Sequence, residues 1–287
     1  MRIRVAAATV NPTDISFRSG RQLTTAQLAE MGVLPPYIPG MELAGVGGRR
    51  RRGHELAPRR PRDGDRQSAP SGRWRPGGAG GRSGRVRRRA CPKATSLEAA
   101  ATLPMNGLTV RLALDRLALK PGQTLGVTGA AGAVGGYAVE LGVSDGLRVI
   151  AVAATAGRSA GEALRRDDVH AERRRGDPRP LRRGSRGVDG LIDAAVLDAA
   201  ALPAIRDGGK LATVRGFAGP SERGITIEPV RVASYVLNHE ALDRLGRLVA
   251  EGGSPCACAE TFPPERAADA QRKMAAGGTR GRLVIVF

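Results

Sequence analysis

The apolar positions of this 287-residue chain fall into short blocks whose period alternates between strand-like and helix-like. RIRVAAATV (2–10) reads as a buried strand, ended at Asn11-Pro12 where proline removes a ladder donor. LPPYIPGMELAGVG (34–47) is turn-rich and then apolar, which predicts a loop entering a second strand. In SLEAAATLPMNGLTVRLALDRLAL (96–119), Leu and Ala recur at helical spacing behind a start signal at Ser96 and Glu98. PGQTLGVTG (121–129) predicts a turn and a strand, AGAVGGYAVELGV (131–143) a helix, and LRVIAVAA (147–154) another buried strand. Further on, VDGLIDAAV (188–196) reads as strand, LDAAALPAIRDGG (197–209) as a helix with a glycine stop, and KLATVRGF (210–217) as strand. Leu242, Leu245 and Val249 mark one face of a helix in NHEALDRLGRLVAEGG. PPERAADAQRKMAAGG (263–278) predicts a helix with prolines in its first turn, and RLVIVF closes the chain as a strand. This alternation predicts an α/β fold, a doubly wound parallel sheet covered on both faces.

Two segments break the pattern, and charge explains how. Residues 49–90 hold fifteen arginines against Glu55, Asp63 and Asp65, a net of +12, and sustain neither period. Residues 165–187 hold nine arginines against four acids, a net of +5. Together they supply +17 of the total +19, so the rest of the chain is nearly neutral. Of the 42 residues from Arg49 to Ala90, 31 are Arg, Gly, Ala or Pro, the residues whose codons can consist of G and C alone. A GC-rich gene read in the wrong frame gives that bias; a disordered linker is the competing explanation. As a nucleic-acid surface the run is weak. Its arginines follow no helix face, only Trp74 interleaves them, and no binding module surrounds them, so nonspecific phosphate attraction is expected rather than a specific partner.

The three cysteines, Cys91, Cys256 and Cys258, cannot build a disulfide framework, which favours a reduced setting. With only three histidines in the chain, Cys256-Ala-Cys258 lacks partners for a metal knuckle. No run approaches membrane-spanning length and the N-terminus lacks a signal-peptide core, so a cytoplasmic protein is expected.

The chemical signal lies in LGVTGAAGAVGGYAVELG (125–142). Ala130, Gly132, Ala133, Val134 and Gly135 form an A-x-G-x-x-G turn between strand and helix, the context a dinucleotide fingerprint requires. Gly132 lets backbone approach a pyrophosphate, and Gly135 lets helix pack close to strand. A tight turn without ligand is the bland alternative. The stretch VIAVAATAGR, where an NAD site places an acid, contains none; Arg158 lies just beyond and suits a 2′-phosphate, which favours NADP (NADPH).

The segments VAAATVNPTDISFRSG, LPPYIPGMELAGV, EAAATLPMNGLTV, VTGAAGAVGG, DGLIDAAV and ETFPPERAADAQRKMAAGGTRGRLVIVF resemble, in this order, the zinc-independent quinone oxidoreductase (zeta-crystallin-like) branch of the medium-chain dehydrogenase/reductase superfamily. The resemblance implies a GroES-like, β-rich catalytic domain over residues 1–100, a Rossmann domain over 101–237, and a return to the catalytic domain over 238–287. It implies NADPH-dependent reduction of a quinone or activated alkene, often in a homodimer. Asn11 matches the family's Asn near the nicotinamide, Tyr37 a cleft tyrosine and Thr109 the Thr after Asn-Gly-Leu. Gly216 and Phe217, after the strand at 210, join the cofactor-binding set. A second cleft tyrosine is replaced by Ser16. Gly40-Met41-Glu42 stands where zinc-dependent relatives have Gly-His-Glu, and Asn11 where they have a zinc cysteine, so no metal is expected. Gly53-His54-Glu55 lies outside the aligned strand and is a coincidence. Relatives begin some two dozen residues earlier, and residues 49–90 and 165–187 replace family elements, which implies a truncated and interrupted reductase. A nucleotide-binding but inactive remnant, or a basic nucleic-acid binder, are the alternatives.

Overall fold

The computed structural model describes residues 3–21, 24–30, 35, 39–47, 95–152, 187–220, 222–251 and 258–287. Tyr37, Arg158, His54, Glu55, the first basic segment and the second as far as residue 186 lie outside the described residues.

The chain's first strand, β1 (Ile3–Thr9), forms where the apolar run predicts it. It pairs antiparallel with β2 (Leu43–Gly47) on one side and with β9 (Arg282–Val286) on the other. β8 (Cys258–Phe262) runs parallel to β9, giving a four-stranded sheet of order β2-β1-β9-β8. The last strand is thus inserted beside the first. At Val5↔Gly45 the backbones approach so closely that a Cβ on Gly45 would lie 2.2 Å from the Arg4 carbonyl oxygen.

Beyond Asn11-Pro12 the pattern shows only a strand end, but the structure continues into α1 (Pro12–Arg18), followed by α2 (Thr25–Glu30). Proline's fixed φ suits a first helical turn, where its missing N–H costs nothing. The helix expected from Ser96 forms as two. Ser96 Oγ caps α3 (Leu97–Ala101) by accepting the Ala99 N–H at 3.2 Å. The break falls at Thr102, because Pro104 has no N–H to continue the ladder, and α4 (Leu103–Leu117) starts afresh.

The second sheet is wholly parallel. β3 (Thr124–Thr128), β4 (Arg148–Val152), β5 (Val188–Asp193), β6 (Ile205–Thr213) and β7 (Thr226–Pro229) stand in the order β4-β3-β5-β6-β7. Successive side chains of a strand face opposite ways, so Leu191 and Ile192 of β5 enter different cores. On one face Ile192, Leu125 and Val127 pack with Leu108, Leu112 and Leu117 of α4 and with Tyr137 and Leu141 of α5 (Ala133–Ser144). Leu245 of α6 (His239–Ala250) completes that core, with Leu242 and Val249 beside it, as the helical spacing predicts. On the other face Leu191 packs with Val152, Leu202, Ile205, Leu211 and Ile225. α7 (Ala267–Ala276), entered through a 3-10 turn at Pro264–Arg266, covers the first sheet through Ala270.

A further element departs from its expectation. Residues 197–209 form a 3-10 turn over Asp198–Ala204 and then enter β6, instead of a helix stopped by glycine. Pro203 denies the turn a donor, and Gly208-Gly209 sit in an irregular strand start, where Val188↔Ile205 is followed by Gly190↔Lys210. Among the described residues no helix is long and apolar enough to cross a membrane.

Replacing Gly45 by Ala should force β1 and β2 apart. Urea unfolding is expected to show a loss of about 1–3 kcal/mol, the usual penalty of overpacking.

Candidate functional site

The glycine loop lies where the parallel sheet reverses its order. β3 has β4 on one side and β5 on the other, and the crevice at the carboxyl ends of such strands is where this architecture takes ligands. Leaving β3, the chain turns at Gly129 (φ +62°), and Ala130 N–H donates to Val152 O at 3.0 Å, tying the loop to the end of β4. Gly132 N–H donates to Gly129 O at 2.9 Å, and the first helical bond of α5 runs from Gly136 N–H to Gly132 O at 2.9 Å. The amides of Ala133, Val134 and Gly135 therefore head the helix, and no side chain caps it. A Cβ on Gly135 would lie 2.2 Å from Gly129 O, so that glycine is a packing requirement. A helix end with bare amides and no side chain over it fits an anionic pyrophosphate.

The neighbouring strand ends are fixed by a buried carboxylate. Thr128 Oγ1 donates to Asp193 Oδ1 at 2.6 Å, Asp198 N–H donates to Asp193 Oδ2 at 2.8 Å, and Thr128 Oγ1 accepts Ala195 N–H at 3.1 Å. At the carboxyl end of β6, Thr213 Oγ1 donates to Phe217 O at 3.0 Å and Gly216 takes φ +79°. Ala130, Gly132, Ala133, Val134 and Gly135 thus form one loop, and Gly216 and Phe217 close another at the same edge of the sheet.

The two sheets meet at this loop. Gly132 forms an isolated parallel bridge with Gly281, the residue before β9. The next residue, Arg282, opens a buried polar ring. Its Nη2 donates to Glu42 Oε1 and, at 2.7 Å, to Asn11 Oδ1. Thr9 Oγ1 donates to Glu42 Oε1 at 2.6 Å and accepts from Asn11 Nδ2 at 3.2 Å. Met105 N–H, near the start of α4, donates to Glu42 Oε2 at 2.7 Å. The Thr109 hydroxyl returns to Met105 O at 2.7 Å. Thr9, Asn11, Glu42 and Arg282 are each at most 7% exposed.

Asn11 and Thr109 are therefore brought into one network, with Glu42 as its centre. Both use their side chains internally; Asn11 is 1% exposed. Tyr37 and Arg158 lie outside the described residues. The sequence reading passed over two residues. Glu42 was visible in Gly40-Met41-Glu42 only as a place lacking a histidine, and Arg282 carried no signal beyond being a charge at the start of an apolar strand. Among the described residues four buried side-chain polar atoms are unpartnered, Thr13 Oγ1, Asn106 Nδ2, Thr279 Oγ1 and Arg282 Nε. Each belongs to a segment that enters the junction, close in sequence to Asn11, Met105 or Gly281.

A catalytic zinc does not fit this donor set. The Glu42 oxygens are taken by Thr9, Arg282 and Met105, Asn11 offers an amide already engaged at both ends, and Met41 offers a thioether. Among the described residues no group of three or more His, Cys, Asp or Glu could hold a metal ion.

Residues 159–285 match the family model of the zinc-binding dehydrogenases. The quinone oxidoreductase of Thermus thermophilus, solved also with NADPH, is 22% identical, with 99% of this chain and 90% of that chain covered at a TM-score of 0.65. The CurK enoyl reductase is 19% identical, with coverage of 99% and 90% and a TM-score of 0.65. An NAD-dependent alcohol dehydrogenase is 20% identical, with coverage of 99% and 91% and a TM-score of 0.65. No curated protein matches the sequence. The fold is the one shared by these dehydrogenases and reductases, as the resemblance implies.

Asp14 adds a pH dependence. Its carboxylate accepts the Asn11 N–H at 2.8 Å, yet burial, reinforced by the charge of Glu42, pushes its pKa up from 3.8 to about 6 against the opposing pull of that bond and of Arg282. The folded state then holds the proton more tightly than the unfolded state, so stability is greatest below pH 4 for this group and falls as pH rises through 6. Asp14→Asn keeps an acceptor for the Asn11 N–H and removes the titration. Relative to the parent, it is expected to gain up to about 3 kcal/mol between pH 4 and pH 7, read by urea unfolding at each pH.

Proposed function

We propose that this protein is an NADPH-dependent, metal-independent reductase of quinones or activated alkenes. The observation that carries the proposal is the Gly132–Gly281 bridge. It sets the bare N-terminus of α5, suited to a pyrophosphate, against the segment that holds Asn11. The domain division proposed from the sequence, with 1–100 and 238–287 as a catalytic part around a dinucleotide-binding part at 101–237, is supported by the presence of two sheets, although α6 within 238–287 packs on the parallel one.

The amides of Ala133, Val134 and Gly135 would hold the pyrophosphate, and Gly216 and Phe217 would border the coenzyme at the next strand end. When bound, the dihydronicotinamide supplies the hydride. Asn11 borders the reacting end, and the packed junction around it excludes water from the transfer. The absence of an acid after β4 favours NADPH over NADH, and a homodimer follows from the resemblance.

A second reading is favoured by one observation. Asn11 and Thr109 are both internally bonded, which suits a protein that binds the dinucleotide without turning over.

Fluorescence titration with NADPH and NADH, followed by NADPH consumption with a simple quinone, separates the two. Saturable binding, about tenfold tighter for NADPH if a cation meets the 2′-phosphate, with quinone-dependent consumption supports the reductase. Binding without consumption selects the second reading, and no binding of either nucleotide overturns both. Gly135→Ala should weaken binding by about tenfold or more, because its Cβ would drive α5 off the loop.

A further inference from the structure

The bridge between Gly132 and Gly281 is parallel, so the residues flanking the two glycines run side by side. Arg280 therefore stands beside Ala131, in the loop just ahead of the bare amides of α5. In an extended strand, positions two apart share a face, which would send Arg280 and Arg282 the same way. Gly281 takes φ +90° and breaks that alternation. Arg282 enters the ring around Glu42 at 3% exposure, while Arg280 and Ala131 are both exposed. A Cβ on Gly277 or Gly278 would meet nothing within 4 Å, so the segment that carries Arg280 approaches through open space.

The electrostatics of this placement are unbalanced. A guanidinium beside the positive end of a helix is a like-charge arrangement. No acid lies in the loop from Gly129 to Gly136 or in the segment from Gly277 to Arg282. Among the described residues Arg280 has no ion-pair partner, in contrast to Arg282 two positions on. An anion set between the guanidinium and the helix end would satisfy both.

We propose that Arg280 is a phosphate-binding residue. It takes the coenzyme's pyrophosphate from the side of the four-stranded sheet, while the amides of α5 take it from the side of the parallel one, so that the phosphates join the two. The 2′-phosphate is not its partner, because the ribose that carries that group belongs at the end of the second strand of such a fold, here β4, and Gly281 bridges the loop that leaves β3. The assignment to pyrophosphate rests on the reading of the glycine loop as a coenzyme site. The anion site itself rests only on the loop, the helix end and Arg280.

Calorimetric titration of the full-length chain with inorganic pyrophosphate, NADPH and NADH separates those layers. Arg280→Gln is expected to weaken all three by a similar factor, about ten- to a hundredfold, the loss of one charge-assisted hydrogen bond. Arg280→Lys, which keeps the charge but not the planar fork, should fall between the parent and Arg280→Gln. Without ligand, the urea midpoint of Arg280→Gln should equal or exceed that of the parent, since the exposed guanidinium has no partner to lose and a like-charge contact is removed.

Equal affinities of parent and Arg280→Gln for all three ligands overturn the contact and leave the reductase reading standing. A loss confined to NADPH overturns the pyrophosphate assignment, because it puts Arg280 on the 2′-phosphate. A lowered urea midpoint without ligand overturns it as well, by making Arg280 a structural residue. If the parent binds pyrophosphate in an Arg280-dependent way but neither nucleotide, the anion site is upheld and the reading of the loop as a coenzyme site falls. If the parent binds none of the three, both fall.

Discussion

The structure turns on an ion pair buried between residues 240 positions apart, Glu42 and Arg282. Both side chains are almost wholly removed from water, at 2% and 3% exposure, which is costly for isolated charges. The cost is met only because each charge finds further partners: a hydroxyl and a backbone amide for Glu42, an amide oxygen for Arg282. Such a set cannot assemble piecemeal. Thr9 and Asn11 come from the N-terminal strand, Glu42 from the entry to β2, Met105 from α4 and Arg282 from the end of the chain. Insertion of β9 beside β1 and the closure of the ionic ring are one event.

That closure carries a consequence for the second sheet. Arg282 follows Gly281, whose backbone bridges Gly132, so fixing the guanidinium also fixes the distance between the four-stranded sheet and the head of α5. Other charges of the described residues pair between elements. Arg111 reaches Asp115 at 2.9 Å and Asp145 at 2.6 Å, with Arg244 on the other Asp145 oxygen at 2.7 Å, clamping α4, α5 and α6 together. Arg206 meets Asp189 at 2.8 Å across β5 and β6. The excess of +17 belongs to the two arginine-rich segments. The folded framework is built from matched charges, and the net charge of the chain says little about its chemistry.

The parallel sheet was legible in the sequence because its strands, buried on both faces, read as short apolar runs between amphipathic helices. The glycine loop was legible because a close approach of backbone to backbone admits only glycine, and Gly135 marks that approach. Three features were hidden. α1 follows a proline that reads equally as a strand end or a helix start, and only the tertiary setting decides. The 197–209 stretch has helical composition but passes into β6, since pairing with β5 outweighs a helix that Pro203 already weakens. The ring around Glu42 could not be read, because its five members come from four segments and no local spacing relates them.

The same ring narrows the chemistry open to the site. A metal ion would stabilise a developing alkoxide through a full charge, and with the Glu42 oxygens committed and Asn11 held by Arg282 the described residues of the junction leave no set of free donors to hold one.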